Sequence, residues 1–458
     1  MIPMKLREVA AVTEGILSDE AHSDIVVKGV ATDSREAIGS DLFVALVGEH
    51  RDGSQFLADA QRKGAAAALV ASKSDTTLPQ IVVGDPLASL AKLGGHIRDV
   101  LDPIVVGITG STGKTSTKDI LGGVASRRYK TVVAERSMNN EIGLPMTLLQ
   151  ARLGTECVVT EMGAQRIGEI AALCEVARPQ IAIVTNVGEA HIGHFGTIQA
   201  IVEAKGELPA SLDDGGTAVL NADDPAVMSM RKLTEAHVLT FGVSRPAWMS
   251  AQNIESDRLG RVRFFMLNEG QKLSVELGLT GRHQVSNALA AAAAGRALGM
   301  SLEDIRVGLE AAKLTPWRME ILDAGVIIVN DAYNANPTSM AAALETCREM
   351  KKPGRKLVCV LGFMAELGDL AEDAHEDVGR MAAGAVDELI VVGDDASGIA
   401  KGARAAGLGH VTQVSTKEEV LSRIAALDLS DEDIILLKAS RVVRLEEIVE
   451  PIREIASK

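Results

Sequence analysis

Short apolar runs alternate with longer segments of mixed polarity along the whole chain. β-branched runs such as residues 104–106 are typical of buried strands, whereas apolar residues spaced three or four apart are typical of helices. Strands that alternate with helices predict parallel, doubly wound sheets. Ligands bind beyond the carboxyl ends of the strands in such sheets, so polar residues at those ends are candidate site residues.

Two changes in this pattern suggest domain boundaries. Asp102 and the proline after it form a plausible linker, and Pro316 ends a helical segment. Before the first boundary, residues 43–47 predict a core strand and residues 56–63 predict a helix that a glycine ends. We predict three α/β domains: a small N-terminal one (1–101), a central one with a doubly wound, mostly parallel sheet (102–313) and a Rossmann-like C-terminal one (314–458).

The segment IVVGITGSTGKTSTKD at residues 104–119 begins as a predicted buried parallel strand, continues into glycines and hydroxyl side chains, and leads into a helical segment. Gly110 and Gly113 allow backbone N–H groups to surround an anion at a helix N-terminus, Lys114 is placed for the β- and γ-phosphates, and Thr115 for Mg²⁺. The strict P-loop pattern requires glycine where this chain has Ile108. We therefore predict a P-loop variant; the alternative is a glycine turn that precedes a lysine by chance.

Polar residues follow two further strands of the predicted central sheet. Glu161 and His191 fall just past strand ends, as the P-loop does, and Lys205 lies on a probable helix soon afterwards. Taken singly, each of the three has a simpler interpretation as a surface or loop side chain. Their convergence with a P-loop favours a site for a nucleotide and a metal.

Further candidates lie downstream and in the first domain. His283 and Asn287 lie in a turn or loop before an alanine-rich helix, at a spacing that suits an adenine edge or a helix cap, and Arg318 is free to meet a phosphate. The turn of Asp33, Ser34 and Arg35 is able to hold a phosphate or sugar, although a plain capping turn is the commoner meaning. Strand ends of the third domain carry a second polar set: Asp331, Asn334, Asn336, Glu366, Lys438, Ser440 and Arg441.

Net charge, cysteine spacing and the distribution of apolar residues exclude some classes of protein. The net charge of −15 argues against a nucleic-acid-binding or anionic-membrane surface. The four cysteines have no C-x-x-C spacing, which indicates reduced and mostly buried thiols. The N-terminal segment carries charges where a signal peptide needs apolar residues, and we find no apolar span that would cross a bilayer. We expect a soluble, cytoplasmic protein.

With these segments in place, the chain resembles the Mur ligase family of peptidoglycan synthesis over essentially its whole length. GITGSTGKTS is similar to the nucleotide loop of the family, TNVGEAHIGHFG and EAKGE to its metal and lysine segments, and GRHQVSNALAA to its adenine segment. DAYNANPTSM and LGFMAELGDLAEDAH resemble the branch that adds D-alanyl-D-alanine. The resemblance implies an ATP-dependent amide ligase whose substrates are UDP-N-acetylmuramoyl-tripeptide and D-alanyl-D-alanine, and we expect a monomer.

The resemblance also implies a role for each candidate. Arg318 would meet the γ-phosphate, and Lys205 would be carbamylated and serve a second Mg²⁺ together with His191. Thr115 and Glu161 would bind the first Mg²⁺. The remaining implied roles are the nucleotide loop (Gly110, Ser111, Thr112, Gly113, Lys114, Thr115, Ser116), the rest of the nucleotide site (His283, Asn287, Asp331), the UDP end of the acceptor (Asp33, Ser34, Arg35) and the dipeptide region (Asn334, Asn336).

Three positions differ from strings common in the family: Trp317 and Ala439 stand where glycine is usual, and Ser54 stands where histidine is common. At Trp317 we expect the backbone to run differently. The nearest alternative function is a sister ligase that adds a single amino acid or extends folate with glutamate, against which DAYNANP argues. A P-loop kinase or GTPase would usually match the strict loop, and a non-catalytic nucleotide-binding scaffold would not need the whole set of candidates.

Overall fold

The computed structural model describes residues 1–48, 51–188 and 192–456. Within these ranges, three larger sheets of five, nine and six strands follow one another, and a two-stranded ribbon accompanies the first. None of the helices in the described ranges is long and apolar enough to cross a membrane. The predicted fold class is confirmed: three α/β units, with the doubly wound sheet in the middle.

The first unit has a five-stranded sheet that is parallel except at its first strand. The predicted strand at residues 43–47 is shorter than expected, because pairing ends at Val44 and Val47 is 62% exposed. The predicted helix begins at Leu57 and ends, as expected, at Gly64, whose φ of +111° suits glycine. The elements are β1 Met4–Lys5, α1 Leu6–Thr13, β2 Ile16–Leu17, β3 Val26–Val27, β4 Gly29–Ala31, β5 Asp41–Val44, α2 Leu57–Lys63, β6 Ala67–Val70, β7 Gln80–Val82 and α3 Pro86–Leu101.

The central unit is a nine-stranded sheet with apolar cores on both faces. Its first six strands and the start of the seventh pair in parallel, whereas the last three form an antiparallel meander. The elements are β8 Ile104–Thr109, α4 Lys114–Ala125, β9 Thr131–Val133, α5 Gly143–Leu149, β10 Cys157–Glu161, α6 Glu169–Ala177, β11 Ile181–Val184, α7 Ile192–Phe195, α8 Ile198–Ala210, β12 Thr217–Asn221, α9 Pro225–Ser229, β13 His237–Gly242, β14 Met249–Ser256, β15 Arg261–Asn268, β16 Gln271–Thr280, α10 His283–Ala297 and α11 Leu302–Glu310.

Two details of this unit place the site. The strand β8 lies inside the parallel part of the sheet, between β10 and β11, so the loop after it opens at the carboxyl edge between two neighbouring strand ends. The alanine-rich helix α10 is buried along its length and packs against α4, because alanine side chains permit close helix approach. His283 and Asn287 belong to this helix, so their prediction as a turn or loop was wrong.

The third unit has a six-stranded sheet in which only β17 is antiparallel to its neighbour. Apolar cores again cover both faces, which is the arrangement of a Rossmann-like fold. The elements are β17 Glu320–Ala324, β18 Val326–Asn330, α12 Pro337–Met350, β19 Leu357–Gly362, α13 Ala371–Ala383, β20 Glu388–Val392, α14 Ser397–Ala405, β21 Val411–Val414, α15 Lys417–Ala425, β22 Ile434–Lys438 and α16 Val449–Ala456.

All four cysteines are buried and unpaired, as predicted. Burial disfavours the thiolate and raises the pKa of Cys157 to about 12 and that of Cys174 to about 11. The pKa values of the Cys347 and Cys359 thiols are raised for the same reason. These thiols therefore act as small apolar side chains of the core.

Candidate functional site

The glycine loop between β8 and α4 has the conformation that a phosphate cradle requires. Gly110 and Gly113 have φ of +149° and +79°, a region that other residues rarely adopt. A Cβ atom at position 110 would lie 1.8 Å from Oγ1 of Thr185. The loop ends at Lys114, the first residue of α4, so the N–H groups of the first helical turn face the loop.

The segment that follows β11 holds this loop in place. Thr185 Oγ1 donates to the carbonyl of Thr112 at 2.6 Å, and the Asn186 Oδ1 accepts from the N–H of Thr112 at 2.9 Å. The Ser111 hydroxyl exchanges hydrogen bonds with the backbone of Gly188 at 2.8 and 3.0 Å. The loop is therefore preorganised by side chains from the neighbouring strand end.

Lys114 lies inside this cradle. Its ammonium donates to the carbonyl of Gly110 at 2.8 Å, across the mouth of the loop. Burial lowers the pKa of Lys114, Glu161 raises it and Arg318 lowers it further. Burial has removed water from around this cation, and the negative charge of a bound phosphate would compensate for that loss.

Thr115 and Glu161 are joined directly. The Thr115 hydroxyl donates to Glu161 Oε2 at 2.7 Å, and Asn139 Nδ2 donates to Oε1 of the same carboxylate at 2.8 Å. Ser137 Oγ lies 3.3 Å from the Thr115 hydroxyl. Glu161 is the last residue of β10 rather than the residue after it, and only 1% of its surface is exposed.

Arg318 reaches this cluster from the third unit. Its Nη2 donates to Thr115 Oγ1 at 2.9 Å and to Ser137 Oγ at 3.4 Å. The guanidinium carbon lies 4.1 Å from the ring centroid of Tyr333, while the buried Nε atom has no hydrogen-bond partner among the described residues. The donor set of this guanidinium is thus only partly used, which suits an anionic ligand.

Lys205 is a buried amine on α8. Its exposed fraction is 2%, and burial holds its pKa well below the usual value, with Lys114 lowering it further. No hydrogen bond or ion pair is found for it in the ranges that the structure describes. An uncharged amine is the form that reacts with carbon dioxide, so the environment suits the expected carbamate. The predicted role of His191 falls on a residue outside the described ranges.

The α10 candidates border the loop. Asn287 Oδ1 accepts from the Thr117 hydroxyl at 3.3 Å, and a Cβ atom at Gly113 would lie 2.6 Å from that oxygen. His283, the first residue of the helix, lies near the charges of Asp331 and Lys438: burial lowers its pKa, the carboxylate raises it and the ammonium lowers it. Neither side chain caps the helix.

The second polar edge forms around Asp331. Lys438 Nζ donates to Asp331 Oδ2 at 2.5 Å and to the Asn334 carbonyl at 2.9 Å. Asp331 Oδ1 accepts from the Met319 N–H at 3.1 Å, which ties this edge to the segment that carries Arg318. Asn336 caps α12 through a hydrogen bond from the Ser339 N–H at 2.9 Å, so its side chain already has a structural role.

The turn after β4 is locally paired. Asp33 Oδ1 accepts from the Arg35 N–H at 2.9 Å, and the guanidinium forms an ion pair with the same carboxylate. Hydrogen bonding to Arg35 lowers the pKa of Asp33 to about 2. Ser34 is buried, and 85% of the Arg35 side chain is exposed. In the described residues no hydrogen bond links this turn to the phosphate loop.

Comparison with known proteins identifies the family. The family descriptions "Mur ligase middle domain" and "Mur ligase, glutamate ligase domain" match residues 108–295 and 317–441. The UDP-N-acetylmuramoyl-tripeptide–D-alanyl-D-alanine ligase of Bacillus subtilis is 35% identical, and the alignment covers 99% of both chains. The chain belongs to the Mur ligase family.

Solved structures give the same relationship. MurF from Acinetobacter baumannii superposes on this Mur ligase with a TM-score of 0.90 at 32% identity over 99% of both chains. MurF from Thermotoga maritima, solved in complex with ADP, has a TM-score of 0.82 at 29% identity and covers 94% of this chain and 98% of its own.

The sequence missed several residues of this Mur ligase that shape the site. Ser137 and Asn139 lie in the polar string SMNN after β9, and their position at the same sheet edge as Glu161 was the available signal. Of the three unusual positions, Trp317 has φ of +65°, a region that favours glycine, and the different backbone path expected there stays a prediction. Ala439 has no positive φ and needs no such freedom. The Ser54 N–H donates to the Asp52 side chain at 2.8 Å.

Proposed function

We propose that this Mur ligase joins D-alanyl-D-alanine to UDP-N-acetylmuramoyl-tripeptide with ATP, giving ADP and phosphate, in the cytoplasmic stage of peptidoglycan precursor synthesis. The observation that carries the proposal is the meeting of Lys114, Thr115, Glu161 and Arg318 at one point. Whole-length similarity to proteins named for this reaction supports it.

The reaction needs activation of a carboxylate. An oxygen of the acceptor carboxylate attacks the γ-phosphorus of ATP, and the bond from that phosphorus to the β-phosphate oxygen breaks, which yields ADP and an acyl phosphate. The dipeptide amine then attacks the acyl carbon, loses a proton and expels phosphate from a tetrahedral intermediate. The protein's task is to neutralise charge on the transferring group and to exclude water.

Different residues would bind the phosphates, neutralise charge and hold the metal ions. The backbone N–H groups of Gly113 and of the first turn of α4 would surround the phosphates, and Lys114 and Arg318 would place positive charge on the transferring group. Thr115 and Glu161 would hold one Mg²⁺; Lys205 as a carbamate and His191 would hold a second. Bound Mg²⁺ supplies further neutralisation of the triphosphate.

The other candidates are assigned by their position. His283 and Asn287 lie on α10 beside the loop, and Asp331 lies in the third unit near His283, so all three would border the nucleotide. Asn334 and Asn336 lie towards the dipeptide. The turn of residues 33–35 binds the UDP end, where a diphosphate would draw the exposed guanidinium of Arg35. In this proposal residues 1–101, 102–313 and 314–458 are separate domains of a monomer, and their closure shields the acyl phosphate.

The test measures phosphate release from ATP in the presence of Mg²⁺, UDP-N-acetylmuramoyl-tripeptide and a nucleophile. The nucleophile is either D-alanyl-D-alanine or a single amino acid. Release and peptide product that depend on D-alanyl-D-alanine would support the proposal. Turnover with a single amino acid and a shorter acceptor would keep the mechanism and assign a sister ligase instead. Phosphate release without any peptide product would refute the ligase assignment.

A further inference from the structure

A buried ion pair lies on α4 one turn beyond the phosphate loop. Lys118 is 1% exposed and the Asp119 side chain 10% exposed, with Nζ and Oδ1 2.9 Å apart. Lys118 Nζ also donates to the carbonyls of Ala134 at 2.6 Å and Arg136 at 2.9 Å. The ammonium is therefore held by two hydrogen bonds and one ion pair within the protein.

The hydrogen bonds of Lys118, called the Lys118 arm below, hold residues 134–136, which lead into the site. Residues 134–136 lead directly into Ser137, which contacts Thr115, and Asn139, which donates to Glu161. The backbone at Arg136 has φ of +48°, a conformation that non-glycine residues adopt only when the surroundings impose it. Lys118 supplies that constraint through the Arg136 carbonyl.

The hydrogen bond that Asp119 accepts, called the Asp119 arm below, holds the segment that leads into the third unit. Asp119 Oδ2 accepts from the backbone N–H of Thr315 at 2.7 Å. Arg318, three residues later, reaches back to Thr115 and Ser137. Between them, Trp317 has a positive φ and lies under Arg441, with the guanidinium carbon 4.6 Å from the ring centroid. Residues 311–319, the linker between α11 and β17, are thus tied at Thr315 to the helix that carries the phosphate loop.

Stability alone gives little reason for such a pair, because a well-packed apolar pair of similar volume is often as stable as a buried ion pair. What an apolar pair lacks is directed bonding to two separate chain segments. One carboxylate oxygen faces Lys118 and the other faces Thr315, so a single side chain links the two segments whose side chains converge on Thr115.

We propose that Lys118 and Asp119 are positioning residues that hold Ser137, Asn139 and Arg318 around Thr115. They touch no reacting atom and act through the two segments that they anchor. The proposal deepens the proposed function and rests on it, since the geometry that they fix is that of the phosphoryl-transfer site. It also makes Thr315 the fixed point at which the third unit joins the nucleotide site.

Asp119→Asn tests the linker arm with almost no change in volume. An amide has one acceptor oxygen, so if that oxygen faces Lys118 the NH₂ group faces the Thr315 N–H, donor against donor. We expect kcat to fall at least about tenfold and the KM for the acceptor to change less than about twofold, because Arg318 acts mainly in the transition state. Asp24→Asn, at a carboxylate that is 68% exposed, is the matched control and keeps the parent kcat.

A spectroscopic measurement separates positioning from loss of activity. The chain has two tryptophans, Trp248 and Trp317, so Trp248→Phe leaves Trp317 as the sole reporter next to the anchored residue. In that background we expect Asp119→Asn to raise the constant for acrylamide quenching of Trp317 fluorescence about twofold, because the released linker exposes the ring more often. The unfolding midpoint should stay near that of the parent. An unchanged quenching constant would overturn the linker anchor whatever the activity.

Lys118→Met provides the second variant. It removes the anchor of residues 134–136, and we expect a higher KM for ATP, because Thr115 and Glu161 lose their supporting contacts. A KM for ATP and a kcat both within twofold of the parent would overturn the Lys118 arm. If the parent protein shows no ligase activity, the proposed function fails, whereas the quenching experiment still decides whether Asp119 anchors the linker.

Discussion

Arg318 offers the sharpest test of the site, because its removal should separate activity from stability. Arg318→Ala removes the hydrogen bond to Thr115, worth ~1.5–3 kcal/mol for a charged donor, and the stack on Tyr333, worth ~0.5–1 kcal/mol. It also removes the unpaired buried Nε atom, whose burial costs ~1–3 kcal/mol. These contributions nearly cancel, so we expect the free energy of unfolding to change by no more than about 1 kcal/mol.

Activity should respond very differently. A guanidinium that neutralises a transferring phosphoryl group contributes about 10³–10⁵ in kcat, which is about 4–7 kcal/mol of transition-state stabilisation. We expect Arg318→Lys to recover only part of this loss, because a lysine cannot supply the same planar fork to two oxygens or stack as well on Tyr333.

The assay is phosphate release with saturating ATP, acceptor and dipeptide, accompanied by urea unfolding of each variant. A kcat for Arg318→Ala within tenfold of the parent would refute the assignment of Arg318 to the transferring phosphate. A loss of more than about 3 kcal/mol in unfolding free energy would instead show that the guanidinium mainly holds the units together.

Three further predictions follow from individual residues. Lys114→Ala should abolish phosphate release and leave the unfolding transition intact, since its ammonium makes a single hydrogen bond to the loop; activity within a few-fold of the parent would contradict its phosphate role. Lys205→Ala should be inactive and partly rescued by short carboxylates such as formate or acetate, which replace a carbamate; absence of rescue would leave carbamylation without support. Folding raises the pKa values of Cys157 and Cys174, so between about pH 9 and 11 these thiols ionise only in the unfolded chain. The free energy of unfolding should therefore be unaffected by these thiols below pH 9 and should fall by about 1.4 kcal/mol per pH unit for each thiol above it. Urea unfolding at pH 8 and 10, with Cys174→Ala reducing the slope, checks this, and a pH-independent stability would contradict it.

Short-range sequence patterns predicted much of the fold and part of the candidate site. The P-loop variant was predictable because β-branched residues, two glycines and Lys114 lie within one continuous stretch, where each residue restricts its neighbours directly. The three α/β units and the end of α2 at Gly64 followed from the same kind of short-range signal. The start of α10 was mispredicted, because the glycine and histidine before the alanines suggested a turn, whereas packing against α4 supports the helix from His283 onwards.

The sequence by itself determined which segments form strands and helices and which chemical groups lie at the strand ends. The tertiary structure decided which groups meet: Arg318 and Thr115, 203 residues apart, share a hydrogen bond, as do Asp119 and Thr315, 196 residues apart. The physical reason is that secondary structure depends on neighbours in sequence, whereas a buried hydrogen bond depends on the packing that removes its groups from water, and that packing involves the whole chain.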